Sequence, residues 1–394
     1  MNKTERLAVL SLASIMSLRM LGLFMIIPVF SLYAAHLTGA TPALIGIAMG
    51  IYGLTQGIFQ IPFGMLSDHV GRKKIIALGL AIFALGSMIA ALSHTMTGMI
   101  IGRALQGGGA VGSTIIALLA DLTREDQRSK AMAMIGMTIG MSFTFAFILG
   151  PVLIPWLHLS GIFWLATGLS GVAILLLLFI VPQPAHVTWH ADAEPELNQF
   201  SAILKHADLN RLNFGIFALH ATLTASFVVI PIALHRLAGL GGQQQWLLYL
   251  PILLLSFILA VPCIVIAEKK RCLRQFFLGA IFILGLAELF LWLFARHLGL
   301  TAFSLLLFFT AFCVLEAFLP SLVSRTAPPA RKGTALGIYS CAQFLGIFIG
   351  GSVGGWLYGK FGLTDVYLFC VILTILWATL AFRMKNPQHR PIQH

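Results

Sequence analysis

Gly64-Met65-Leu66-Ser67-Asp68-His69-Val70-Gly71-Arg72-Lys73-Lys74 is a short polar stretch pinned between two long apolar runs. An acid, a turn glycine and a basic cluster within eleven residues suit a tight cytoplasmic connection between two membrane spans. The flanking runs decide the fold class. Of 394 residues, 59% are hydrophobic and only 10% charged, with mean hydropathy +0.94. Average soluble domains carry roughly 25% charged residues, so lipid is the main solvent of this chain. Without water in the hydrocarbon core, only helices and closed barrels satisfy their backbone groups. Continuous apolar runs of about 20 residues select helices, because barrel strands alternate over about 10. The expected fold is an all-α polytopic membrane protein.

Working outward from that loop, hydropathy predicts twelve transmembrane helices: 6–35, 42–65, 73–93, 97–120, 131–157, 160–182, 211–235, 245–267, 275–296, 300–324, 333–358 and 362–382. The first run, from Met1 to Leu37, is too long for a signal peptide; Arg19 interrupts it and many spans follow. Alternate connections then collect Lys3 and Arg6, Arg72 to Lys74, Arg124 to Lys130, Lys205 and Arg211, Lys269 to Arg274, Arg325 to Lys332, and Arg383 to Arg390 on one side. The other side holds Arg236, Arg296 and Lys360. Twenty basic residues against three place both termini in the cytoplasm of a multi-pass protein of the cell (inner) membrane.

The central stretch from Pro182 to Asn210 contains three prolines and the acids Asp192, Glu194 and Glu196, and reads as a linker. It divides the chain into a six-helix bundle over 1–182, a cytoplasmic linker over 183–210, and a second six-helix bundle over 211–394. The halves resemble each other. Phe24-Met-Ile-Ile-Pro28 echoes Phe227-Val-Val-Ile-Pro231, and the basic loop 71–74 echoes 268–274. Parallel repeats of this kind occur in secondary transporters, with the substrate site at the repeat interface near the midplane.

Several function classes fall away. A net charge of +12 would suggest nucleic acid in a soluble chain, but here the basic residues sit in small groups at helix ends, and no nucleic-acid partner is expected. The five cysteines have no paired spacing and no disulfide framework is expected. No Walker sequence, metal-ligand cluster or nucleophile elbow occurs, so neither enzyme chemistry, a catalytic residue, a metal nor a cofactor is expected. Gly107-x-Gly109-x-x-Gly112 spells a dinucleotide fingerprint, yet no strand precedes it. Its glycines, with Gly136/Gly140 and Gly346/Gly350/Gly354, read instead as small-residue faces for close helix packing.

Gly64-x-Leu66-x-Asp68-x-x-Gly71-Arg72-Lys73 resembles the loop 2–3 signature of the major facilitator superfamily. Arg103-x-x-x-Gly107-x-Gly109 resembles that superfamily's helix-4 motif, and Gly150-Pro151 its helix-5 antiporter motif, although Ile154-Pro155 replaces the usual following glycine pair. Four further blocks, at 17–22, 267–271, 316–322 and 332–346, resemble one bacterial branch whose members add a small soluble C-terminal domain. This chain is expected to lack that domain, since it stops shortly after its last predicted span.

The resemblance implies alternating access, with the loop contacts locking the cytoplasmic side in the outward-facing state. Gly71 permits a tight reversal. Asp68 can cap a helix N-terminus, where the macrodipole favours a carboxylate, and Arg72 can pair with Asp121. The alternative for this cluster is a charged anchor that only fixes topology.

Ionisable groups within spans cost about 2.5–3.5 kcal/mol each at a helix centre for Arg or Asp, so each is a functional candidate. Arg19 could hold an anionic substrate group, or pair with an acid across the cavity. Arg103 reads as ordering helix 4 against neighbouring carbonyls. Glu316 is a candidate proton carrier, because burial penalises the charged form of a carboxyl; its alternative is a structural partner for Arg19. His220, titrating near physiological pH, Gln343, and Glu288 on a helix expected outside the cavity complete the set. The expected activity is proton-coupled efflux of a small amphiphilic compound, such as a drug, metabolite or siderophore, by a monomer. The alternatives are a proton-coupled importer of a metabolite or iron chelate, and a non-transporting receptor or scaffold.

Overall fold

The computed structural model describes residues 1–183, 203–328 and 331–384. Its helices are α1 (Lys3–Phe24), α2 (Ile27–Ala34), α3 (Pro42–Val70), α4 (Arg72–Leu92), α5 (Met96–Gly108), α6 (Gly112–Leu122), α7 (Glu125–Phe179), α8 (Ala207–Arg236), α9 (Gln245–Lys269), α10 (Leu273–Phe294), α11 (Leu298–Thr326), α12 (Lys332–Lys360) and α13 (Leu363–Phe382). Counting α1–α2 and α5–α6 as one each, eleven stretches among the described residues are long and apolar enough to cross a membrane. Most of the expected linker, 184–202, lies outside the described residues.

Two predicted spans are broken. The first turns at Met25–Ile26, where Pro28 cannot donate to the Phe24 carbonyl. The fourth breaks over Gly109–Val111, after three successive glycines of low helix propensity. Conversely, the predicted spans 131–157 and 160–182 form the single 55-residue α7, interrupted at His158 (φ 55°, ψ −180°). Straight, it would run about 80 Å against a hydrocarbon core of about 30 Å. It does not run straight. Just before its start, Arg124 bonds Glu5 in the first turn of α1, and further along Ser142 Oγ meets Ser17 Oγ at 2.6 Å. Just past its end, the Val181 carbonyl accepts from Lys73 Nζ at the start of α4.

The helices pack as two sets, α1–α7 and α8–α13, joined chiefly by α3 against α12. Leu12, Leu80, Ile115 and Leu118 are fully buried in the first set, and Leu284, Phe308, Leu315 and Trp377 in the second. Gly46, Gly50 and Gly53 share one face of α3 and meet the α12 backbone directly. A Cβ added at Gly46 would strike the Gly351 carbonyl, and one at Gly50 would lie 2.7 Å from the Phe348 carbonyl. Beyond Gly57 this seam ends. Phe59, Met65, Leu66 and Val70 of α3 are exposed, and Gly333 and Gly337 of α12 have no neighbouring atom within 4 Å. The two sets are therefore closed at the Pro42 end and splayed at the end carrying Arg72, Arg124 and Arg325, called below the basic end.

Gly346, Gly350 and Gly354 pack closely on α8 at Phe217, Ala221 and Ala225, as small-residue faces should. Gly136 and Gly140 do not, and this corrects the sequence reading. Neither has a neighbour within 4 Å, because α7 turns a different face, Ile135, Ser142 and Ala146, inward.

Candidate functional site

At the basic end, Gly71 alone links α3 to α4, with φ 107° and ψ 130°. That left-handed φ favours glycine over every residue with a Cβ. Asp68 Oδ1 receives Arg72 Nη1 at 2.8 Å one turn away, and Arg72 Nε donates to Asp121 Oδ2 at the end of α6. The Asp121 and Arg72 side chains are 5% and 13% exposed, so this cluster is mostly shielded from water. Gly64 sits one turn earlier, with room for a Cβ only 3.6 Å from Ser113 Oγ. Among the described bonds Asp68 has Arg72 as its partner and no N–H of a helix N-terminus. A one-residue connection leaves Asp68 inside the last turn of α3, where Arg72 is the partner in reach. The repeat-related loop of the second set is simpler, with Glu268 pairing Arg325 at 3.2 Å in the open. These ion pairs each stay within one set.

Phenylalanines from both sets close the molecule beyond the splayed region. Phe24 meets Phe143 edge-on at 5.1 Å, Phe143 stacks on Phe312 at 5.7 Å, and Phe147 contacts Phe227 and Phe309 at 5.0 and 5.7 Å. Pro231 has no N–H to offer the Phe227 carbonyl, and Ser31 Oγ of α2 donates to it instead at 3.3 Å. This is a hydrogen bond between the sets.

The first set buries two guanidinium groups, of which Arg19 lies on the basic side of that seal. Arg19 Nη2 donates to Gln56 Oε1 (2.7 Å), Tyr52 Oη (3.2 Å) and the Gly109 carbonyl (3.2 Å), which the α5–α6 break releases. Arg19 lies over the Phe83 ring, and its Nε has no partner. Arg103 spans α5 to α3 through the Ala48 and Met49 carbonyls and Gln106 Oε1, above the Tyr52 ring. Gly107 brings α5 against Tyr52 and Thr55, Gly109 meets the Gly79 carbonyl, and Gly150, before Pro151, meets the Met25 carbonyl. The acid partner expected as one option for Arg19 is absent from its described bonds. Its partners are neutral dipoles.

The second set buries acids. Gln343 Nε2 lies 2.8 Å from His220 Nε2, and His220 Nδ1 lies 3.3 Å from the Ile216 carbonyl. With Nδ1 donating, Nε2 accepts from the amide, which describes a neutral imidazole. Glu316 Oε2 is 3.9 Å from the same Nε2 and has no hydrogen-bond partner; its side chain is 41% exposed. His220, Glu316 and Gln343 thus meet on α8, α11 and α12. Glu288 sits apart, fully buried, accepting from Ser226 Oγ at 2.7 Å with its second oxygen unpartnered.

Sequence reading passed over Tyr52, Gln56, Gln60, Ser31 and the phenylalanine seal. The first three recur every fourth residue on one face of an apolar helix, which was a signal. Among the described residues no group of three or more His, Cys, Asp or Glu could hold a metal ion.

The model of the Major Facilitator Superfamily matches residues 12–287 and again 214–393. The chain belongs to the major facilitator superfamily. It is 45% identical over 389 residues to the inner membrane transport protein YajR of Escherichia coli K12, covering 99% of this chain and 86% of that protein. An uncharacterized transporter of Buchnera aphidicola subsp. Acyrthosiphon pisum is 38% identical over 354 residues, covering 89% and 90%. Among solved structures, an inward-facing, occupied bacterial homolog of the human lysosomal transporter Spinster superposes with TM-score 0.80 at 13% identity, covering 97% of each chain. This is a multi-pass membrane transporter of the superfamily, and not an enzyme.

Proposed function

We propose that this chain is a proton-coupled exporter of a small amphiphilic compound, working by alternating access. One observation carries the reading. Glu316, half-exposed and lacking a hydrogen-bond partner, stands beside a neutral His220 on the basic side of the aromatic seal. A proton arriving on His220 Nε2 displaces the Gln343 donor and turns that nitrogen toward Glu316, so the pair can take up and release a proton without a new partner from elsewhere. The resemblance of Gly150-Pro151 to the antiporter motif favours export.

In this reading α7 reverses at His158 and crosses twice, giving twelve spans in two six-helix bundles, 1–182 and 211–394, joined by the 183–210 linker. The basic excess favours a cytoplasmic linker and cytoplasmic termini, and the likeness to an inner membrane transport protein favours the inner membrane. The splayed end then faces inward. Closing it would bring the Asp68 end of α3 toward the start of α12, and the Arg72 cluster would act in that opposite state.

Everted vesicles test the proposal. An inside-acid gradient should drive substrate accumulation, and each transported molecule should dissipate ΔpH. Accumulation requiring the opposite gradient would make the protein an importer; no substrate-dependent loss of ΔpH across a broad compound panel would leave a receptor or scaffold.

A further inference from the structure

The two sets hold opposite charge near the opening between them, Arg19 buried behind Gln56 and Gln60, and Glu316 half-exposed. Arg19 precedes Phe24 by five residues on α1, and Glu316 follows Phe312 by four on α11. Phe24, Phe143 and Phe312 form one contact chain. At 1.5 Å rise per residue both charges therefore lie about 6–8 Å to the basic side of one seal, at one level. Among the described bonds neither has a charged partner in its own set, and Glu316 stands 3.9 Å from an imidazole that is neutral.

The Arg19 charge also reaches outward. Arg19 Nη2 donates to Gln56 Oε1, and Gln56 Nε2 donates to Gln60 Oε1 at 3.0 Å, leaving the half-buried Gln60 Nε2 as the outer donor of a chain polarised by a cation. Such a donor suits an anion. Across the opening, the carboxyl of a half-exposed side chain, one oxygen of which is buried without a partner, suits an ammonium.

We propose that the ligand of this site is a zwitterionic aromatic amphiphile, its anionic group received by Gln60 with Arg19 behind it, and its amine by Glu316. The phenylalanine seal takes the apolar body. This rests on the transporter reading and deepens it: amine and proton compete for one carboxylate, so binding one releases the other.

A matched series tests the charge pattern. Phenylalanyl-phenylalanine carries both charges, its methyl ester only the amine, and its N-acetyl derivative only the carboxylate. Binding is read by thermal shift and by calorimetry on the purified full chain in nanodiscs. The dipeptide should bind at least tenfold more tightly than either derivative. Ester binding should weaken as pH falls through the Glu316 titration, while binding of the N-acetyl compound should not. Gln60→Glu, at a half-buried position that leaves Arg19 bonded to Gln56, should weaken the dipeptide and the N-acetyl compound at least tenfold and spare the ester.

Equal affinity for all three compounds, no binding of any of them, or a uniform effect of Gln60→Glu would overturn the proposal. These measurements need no gradient. If everted vesicles show no transport while the charge pattern holds, the site stands and the transport reading fails; the reverse result sinks the site alone.

Discussion

The first and second helix sets share an architecture and differ in the charges they bury away from the basic end, where Glu5 and Asp121 lie. Inside α1–α7 lie Arg19 and Arg103; inside α8–α13 lie Glu288, His220 and the half-exposed Glu316. The guanidinium groups are held by carbonyls of residues 48, 49 and 109 and by glutamine and tyrosine side chains, so their cost is offset by fixed dipoles. Both carboxyls keep an oxygen with no hydrogen-bond partner. The difference teaches which charge can change. The first set's cations already have fixed dipolar partners, whereas each of the second set's acids keeps an unpartnered oxygen.

The comparison breaks most sharply at the basic-end loops. Asp68→Asn should reduce transport to background while membrane insertion, followed by a fluorescent fusion, stays normal. Glu268→Gln, in the repeat-related loop, should leave transport within about twofold, since exposed ion pairs are worth only about 0–1 kcal/mol. Normal transport by Asp68→Asn would reduce the shielded Arg72 cluster to an anchor.

Next in size is Glu316→Gln. One pH unit supplies about 1.4 kcal/mol per proton, or tenfold accumulation. The variant should lose that tenfold factor while keeping passive exchange. Should ΔpH still drive uptake, the second set's acid is as structural as the first set's arginines, and His220 is tested next.

Gly351→Ala probes the seam. Its Cβ would fall 2.6 Å from the Gly46 carbonyl and 2.9 Å from the Gly50 nitrogen. Overpacking of about 1–3 kcal/mol translates to roughly a 5- to 150-fold shift away from closure at the Pro42 end. Thiol labelling near that end, in a cysteine-free background, should rise accordingly; unchanged labelling would mean that the seam does not gate. The smallest effect is expected from Ser31→Ala, which leaves the Phe227 carbonyl without its donor and should lower the melting temperature by an amount matching about 0.5–1.5 kcal/mol.

Much of this was legible beforehand. Apolar length placed the helices, and clustered basic residues marked their ends, because both properties are local. The one-residue turn at Gly71 and the Arg72–Asp121 contact were also readable, the first from the glycine and the second through resemblance. The break at Met25 was not, although Pro28 was in plain view, since transmembrane helices often carry proline unbroken, as α8 does at Pro231. Nor did hydropathy reveal that Arg19 would choose Gln56 and the Gly109 carbonyl over Glu316. Partners 37 and 90 residues away are decided by packing. The same holds for the meeting of His220, Glu316 and Gln343, which sequence reading treated as separate candidates.

The bare contact of α3 with α12 carries a kinetic corollary. Glycine has no rotamers to freeze, so bringing Gly46 and Gly50 against Gly351 and Gly355 immobilises no side chains, and parting them liberates none. A joint assembled this way has few side chains to reorganise when it parts, which suits a surface that would separate in the proposed cycle.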